Sequence, residues 1–119
     1  MRLMPILFVR DVTAARRFFA VLGLRTDATG RAGGWIELAG DGGLLGLHTV
    51  TDTDEPRRPG ECALSFVADE PLEAVRDRLH GAGHADAHII DEGYGRSLRV
   101  TGPDGAPVQV VEHDRALYT

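Results

Sequence analysis

The side chains able to do chemistry are few and scattered. Five histidines, one cysteine and 18 carboxylates make up the inventory, and all 13 basic residues are arginine. With no lysine, Schiff-base chemistry through a side-chain amine is excluded. Glu37 and His48 fall on two neighbouring predicted strands, where they could pair as a general-base dyad. His48 lies two residues past Gly46 and shares its face of the strand. His113 stands in a similar relation to Gln109 and Val111. His80, His84 and His88 are spaced by four, but Gly81 and Gly83 interrupt any helix there, so the three do not share a face. Ser65 and Ser97 sit inside strands rather than on a nucleophile elbow. Cys62 reads as a small core residue. The run Gly40-Asp41-Gly42-Gly43 is a turn, without the lysine and helix of a phosphate loop.

The elements that must position these groups can be read from periodicity. Arg2 to Val9 is an apolar strand closed by Asp11. A helix follows from about Thr13, with Asp11 or Thr13 as N-cap. Ala15, Phe18, Phe19 and Leu22 fall at i, i+3, i+4 and i+7, which predicts one buried stripe. Gly23 ends the helix. Strands at Gly34–Ala39 and Leu44–Val50 flank the glycine turn, with Ile36 and Leu38 on one face and Trp35 and Glu37 on the other. Then the pattern restarts: a strand at Cys62–Val67, a helix opened by Asp69-Glu70-Pro71 with stripe Leu72, Val75 and Leu79, and strands at His88–Ile90, Ser97–Thr101 and Val108–Glu112.

The restart is an internal repeat. Phe8-Val9-Arg10-Asp11 precedes Phe66-Val67-Ala68-Asp69 by 58 positions, as Gly23 precedes Gly81, while Asp41-Gly42 precedes Asp104-Gly105 by 63. Module one spans 1–50, a polar, Pro-containing connection spans 51–60, and module two spans 61–115. Each module is too small to bury a good core alone, so residues 1–119 should form one domain.

Composition narrows the function classes. The chain has 119 residues, 43% hydrophobic and 26% charged, which fits a globular protein and excludes a disordered or fibrous one. No apolar run approaches the roughly 20 residues of a membrane span. A net charge of −5 with interspersed signs does not steer toward nucleic acid. A single cysteine forms no internal disulfide, so a cytoplasmic setting is expected.

Two βαβββ modules in this length, with Pro5-Ile6-Leu7-Phe8-Val9-Arg10-Asp11-Val12, Phe18-Phe19, Leu22-Gly23, Gly95-Arg96-Ser97 and Gly102-Pro103-Asp104-Gly105, resemble the vicinal oxygen chelate superfamily of glyoxalases, ring-cleavage dioxygenases and bleomycin-resistance proteins. The resemblance implies an α+β fold, a half-open cup-shaped sheet paired in a homodimer with clefts between subunits. It also implies metal-ligand positions at Met4, Gly46, Cys62 (Ala63 if the strand slips by one) and Gln109. Those residues offer no set of hard nitrogen and oxygen donors, so neither a metal nor another cofactor is expected.

A cup without a metal is similar to the bleomycin-resistance proteins, which bind a drug without changing it. Pro5 resembles the proline near their exchanged N-terminal strand, and Ala32-Gly33-Gly34-Trp35-Ile36-Glu37-Leu38 resembles the strand that lines their crevice. The expected ligand-binding residues are Trp35, Glu37, His48, Tyr94, Ser97, Arg99 and Gln109, with Thr101 and the pairs Leu44/Pro107, Gly46/Gln109 and His48/Val111 as further lining. A small natural product or antibiotic is the expected partner, sequestered rather than turned over. Two alternatives stand beside it: an isomerase or lyase using Glu37 and His48, and a non-catalytic accessory domain.

Overall fold

Residues 1–30, 33–51, 56–91 and 95–112 are described by the computed structural model of the chain. Its elements run β1 (Arg2–Leu3), β2 (Ile6–Val9), α1 (Val12–Val21), β3 (Arg25–Thr29), β4 (Trp35–Gly40), β5 (Gly43–Thr49), β6 (Cys62–Val67), α2 (Leu72–Gly81), β7 (His88–Asp91), β8 (Arg96–Thr101) and β9 (Pro107–Glu112). The strands form one mixed sheet in the order β3-β4-β5-β2-β6-β9-β8-β7, with β1 also on β6. This is the expected α+β architecture of two βαβββ modules. Each module closes on itself through a parallel pair, β2 with β5 and β6 with β9, and the modules meet where β2 runs antiparallel to β6.

The N-terminal segment holds one register across its break at Met4-Pro5. Arg2 and Leu3 pair with Val67 and Phe66, and Ile6 and Leu7 pair with Ala63 and Cys62. Proline lacks the amide that a ladder needs, yet the Met4 amide still bonds the Ser65 carbonyl at 2.9 Å, so the strand bends without slipping.

Both helices cover the same face. Under α1 lie Leu7, Val9, Ile36, Leu38, Leu45 and Leu47; under α2 lie Phe66, Ile89, Leu98, Val100 and Val110. Asp11 caps α1 by accepting from the amides of Thr13 and Ala14 at 3.0 and 3.1 Å, worth about 1 kcal/mol. Both helices end with the same bond pattern onto a glycine of positive φ, Gly23 at 98° and Gly83 at 97°. These are left-handed positions that a side chain would strain.

Three expectations change. The buried stripe of α1 is Val12, Ala15 and Phe19, while Phe18, Val21 and Leu22 are 63, 86 and 64% exposed. Phe18 and Leu22 satisfy helical spacing just as well, but they lie on an arc that the narrow sheet beneath does not reach. The strand β3, which the βαβββ pattern requires, is not placed by periodicity, because Arg25-Thr26-Asp27-Ala28-Thr29 is an edge strand with a bulge between Thr26 and Ala28 and little apolar signal. Third, the repeat is not at 58. The helices superpose at 60 (Val12 on Leu72, Gly23 on Gly83), and the strands beneath them at 59 (Leu7 on Phe66, Val9 on Ala68). An offset of 58 would equate Phe8 with Phe66, yet Phe66 faces α2 while Phe8 points the other way. The 63-residue offset of the hairpins holds, since Gly46 pairs with Ile6 as Gln109 pairs with Ser65.

Candidate functional site

The face opposite the helices is built by alternation. From module one it presents Ile6 and Phe8 on β2, Trp35 and Glu37 on β4, and Leu44, Gly46 and His48 on β5. From module two it presents Ala63 and Ser65 on β6, Ser97, Arg99 and Thr101 on β8, and Pro107, Gln109 and Val111 on β9. The register therefore brings Trp35, Glu37, His48, Ser97, Arg99 and Gln109 onto one inner surface, as the sequence implies. Tyr94 and His113 lie outside the described residues.

Trp35 is the central object of this surface. It pairs with His48 across β4 and β5, while Glu37 pairs with Gly46. The indole leans along the strand: Nε1–H donates to Glu37 Oε2 at 2.9 Å, and the six-membered ring crosses Gly46, where a side chain would collide with it. Its edge also meets His48, with ring centroids 5.8 Å apart, and His48 meets Phe8 at 5.6 Å. The Arg57 guanidinium stands 4.7 Å above the Phe8 ring, bringing a cation from the inter-module connection to this aromatic end. Phe8 and Arg57 were not expected here. The even-numbered run Met4-Ile6-Phe8 carried the signal, but in a strand apolar on both faces alternation cannot be seen.

The proposed base dyad does not form. Glu37, 2% exposed, takes the indole N–H. His48 Nδ1 donates to the Thr49 carbonyl oxygen at 2.8 Å. The two side chains share no hydrogen bond. His80 and His88 are likewise occupied with the backbone of Ala87 and Asp86.

Two hydroxyls on the inner face have no hydrogen-bond partner among the described residues, Ser65 Oγ and Ser97 Oγ, and both serines are fully buried. A buried unpaired hydroxyl costs about 1–3 kcal/mol, and at 0 and 1% exposure these two are closed to solvent and to a ligand alike. The strand carrying Ser97 and Arg99 is anchored at its start by Arg96. That guanidinium pairs with Glu73 on α2 and donates to Glu112 on β9 at 2.9 Å. The hydrogen bond from Arg96 holds the Glu73 carboxyl down at about 2, aided by its own backbone amide, and Glu73 with Glu112 pushes the Arg96 pKa up.

The register also settles which residues stand at the four metal-ligand positions the resemblance implies. Met4, Gly46, Ala63 and Gln109 lie on the inner face, whereas Cys62 pairs with Leu7 on the opposite face and is exposed. A thioether, a hydrogen, a methyl and one amide are not a donor set for a divalent cation. The indole of Trp35 moreover fills the space a ligand at position 46 would need. The residues do not fit a metal of that kind. Among the described residues no three His, Cys, Asp or Glu side chains gather elsewhere into such a group, and no helix is long and apolar enough to cross a membrane.

Known structures share this fold. A glyoxalase/bleomycin resistance protein/dioxygenase superfamily member from Vibrio splendidus 12B01 is 19% identical over 93% of this chain and 97% of its own, with a TM-score of 0.61. A structure described as an NAD-dependent benzaldehyde dehydrogenase from Legionella pneumophila is 15% identical over 94% of this chain and 99% of its own, with a TM-score of 0.67. No family model matches the chain, and no curated protein sequence does. At these identities the likeness establishes the fold: the chain has the glyoxalase/bleomycin resistance/dioxygenase fold. Function does not follow from fold, and must be argued from the inner face.

Proposed function

We propose that this protein is a non-catalytic binding protein that sequesters a small organic molecule, of the natural-product or antibiotic kind, on its inner face. One observation carries the reading. Position 46, which would hold a metal ligand in the enzymes of this fold, is a glycine with the Trp35 indole laid across it. An aromatic surface thus stands where chemistry would be centred. Around it the half-buried Arg99, Gln109 and His48 supply a guanidinium, an amide and an imidazole, while the buried Glu37 orients the indole, which suits a flat, polar ligand held by stacking and a few hydrogen bonds.

The same reading carries a homodimer. The outer side of α1 presents Phe18, Val21 and Leu22 to solvent. At the equivalent positions 60 residues on, α2 carries Arg78, Gly81 and Ala82. An apolar patch on one helix and none on its counterpart favours a covered face.

Titration of the purified protein with a bleomycin-type glycopeptide, a quinoxaline antibiotic and an enediyne chromophore tests the binding role, since Trp35 is the sole tryptophan and reports on this surface. Saturable quenching, with the ligand recovered chemically unchanged, supports sequestration. Recovery of an altered ligand, or no saturable response to any of the three, overturns it.

A further inference from the structure

A cleft of about 710 Å³ opens at the hairpin end of module one, away from Trp35. Leu3, Pro5 and Leu44 give it an apolar wall, and Arg2, Arg25 and Asp27 stand at its polar side. Leu44 is the next inner-face residue after Gly46 on β5, so the cleft continues the surface described above. Its size suits a small ligand, for which pockets of roughly 300–1,000 Å³ are usual.

The two arginines distinguish it. In module two Arg76, Arg78 and Arg96 each hold a carboxylate. Neither Arg2 nor Arg25 has an ion pair or side-chain hydrogen bond among the described residues, although both border one concavity. The repeat sharpens the contrast. Arg2 corresponds, 59 positions on, to Glu61, whose carboxylate accepts from the Arg58 amide at 3.1 Å and lies 3.9 Å from Arg57. One end of the pseudo-symmetric sheet is thus internally neutralised, while the other keeps two guanidinium groups beside an apolar wall, with Asp27 the single acid among the lining residues.

We propose that this cleft binds a small organic anion, a carboxylate or phosphate monoester with an apolar body, its charge met by Arg2 and Arg25. Guanidinium forks match both oxyanions with paired, charge-assisted hydrogen bonds. The overall charge of −5 does not oppose this at close range. At physiological salt the screening length is about 8 Å, so an anion inside the cleft responds to the arginines beside it rather than to carboxylates across the molecule. The inference rests on the reading of the inner face as a small-molecule surface, and it names the chemistry of one end.

Calorimetric titration of the full chain with hexanoate, hexyl phosphate and neutral hexanol tests it. Expected is saturable binding of at least one of the two anions, with hexanol at least tenfold weaker. Arg2→Gln and Arg25→Gln should each weaken the anion at least fivefold, while Arg16→Gln, on exposed α1, leaves it unchanged. Whichever anion binds tighter assigns the headgroup. The proposal is overturned if neither anion binds, if hexanol binds as well as they do, or if Arg16→Gln weakens binding as much as the cleft variants. The two readings fail separately. Loss of anion binding with intact antibiotic quenching of Trp35 removes the cleft assignment alone, and the reverse removes the aromatic site alone.

Discussion

The Trp35 indole lies so close over Gly46 that a methyl group at position 46 would fall 2.5 Å from Cη2 and 3.1 Å from Cζ3, with Ile6 Cγ1 at 3.2 Å on its other side. The glycine is therefore a packing requirement of the tryptophan. The ring from β4 occupies the space that a side chain on β5 would need.

Gly46→Ala should then move the indole rather than the backbone, because the atoms in the way are the far edge of a side chain. The displaced ring loses its hydrogen bond to Glu37. Overpacking of this kind costs about 1–3 kcal/mol. A shift in tryptophan emission together with a lower urea midpoint is expected. An unchanged spectrum and midpoint would mean that the ring does not lie over Gly46.

Ser97→Ala separates stability from function. Removing a buried hydroxyl that has no partner among the described residues should leave the ligand-free protein as stable as the parent, or up to about 1 kcal/mol more so, and leave antibiotic binding unchanged, because a side chain 1% exposed offers a ligand no contact. Thermal unfolding with and without ligand reads both effects. A destabilised ligand-free variant would show that Ser97 serves the fold.

The ion pair at the start of β8 has a pH signature. Glu73 is held at about 2 in the folded chain against an ordinary 4.5, so its contribution is present above 4.5 and is lost as the pH falls from there through about 2. Glu73→Gln should therefore unfold at lower denaturant than the parent at pH 7 and at the same denaturant near pH 2. A gap that stays constant across this range contradicts the assignment.

If α1 covers a second copy, Phe18→Arg combined with Leu22→Ala, which imitates Arg78 and Ala82 of α2, should give a folded monomer. The parent should sediment as a dimer. A parent that is already monomeric at micromolar concentration removes the dimer from the account.

Much of this was legible in the sequence because strand alternation is geometric. Once Ile36 and Leu38 are assigned to the helix side, Trp35 and Glu37 have nowhere to point but inward, and the same holds for Ser97 and Arg99 beside Leu98. Helical periodicity is weaker evidence. On α1 both the Ala15–Phe19 arc and the Phe18–Leu22 arc are apolar, and spacing alone does not say which one meets the sheet. The edge strand β3 carries Arg25, Thr26 and Asp27, whose polarity hides it. The error in the repeat, one residue in the strands and two in the helices, had a similar origin: Phe8 and Phe66 match as letters but face opposite sides. The lean of Trp35 over Gly46 was beyond reach, because alternation gives the face of a side chain and not its course across that face.

The central claim is that Trp35 is the binding surface, and calorimetry of Trp35→Ala and Trp35→Phe with whichever antibiotic quenches the parent tests it most directly. Truncation of a central aromatic anchor commonly costs 2 kcal/mol or more, so Trp35→Ala should bind at least tenfold more weakly, with Trp35→Phe in between because it keeps one ring but loses the rest of the indole surface and the N–H to Glu37. Circular dichroism confirms in each case that the fold is intact. Binding by a folded Trp35→Ala variant as tight as that of the parent would contradict the account.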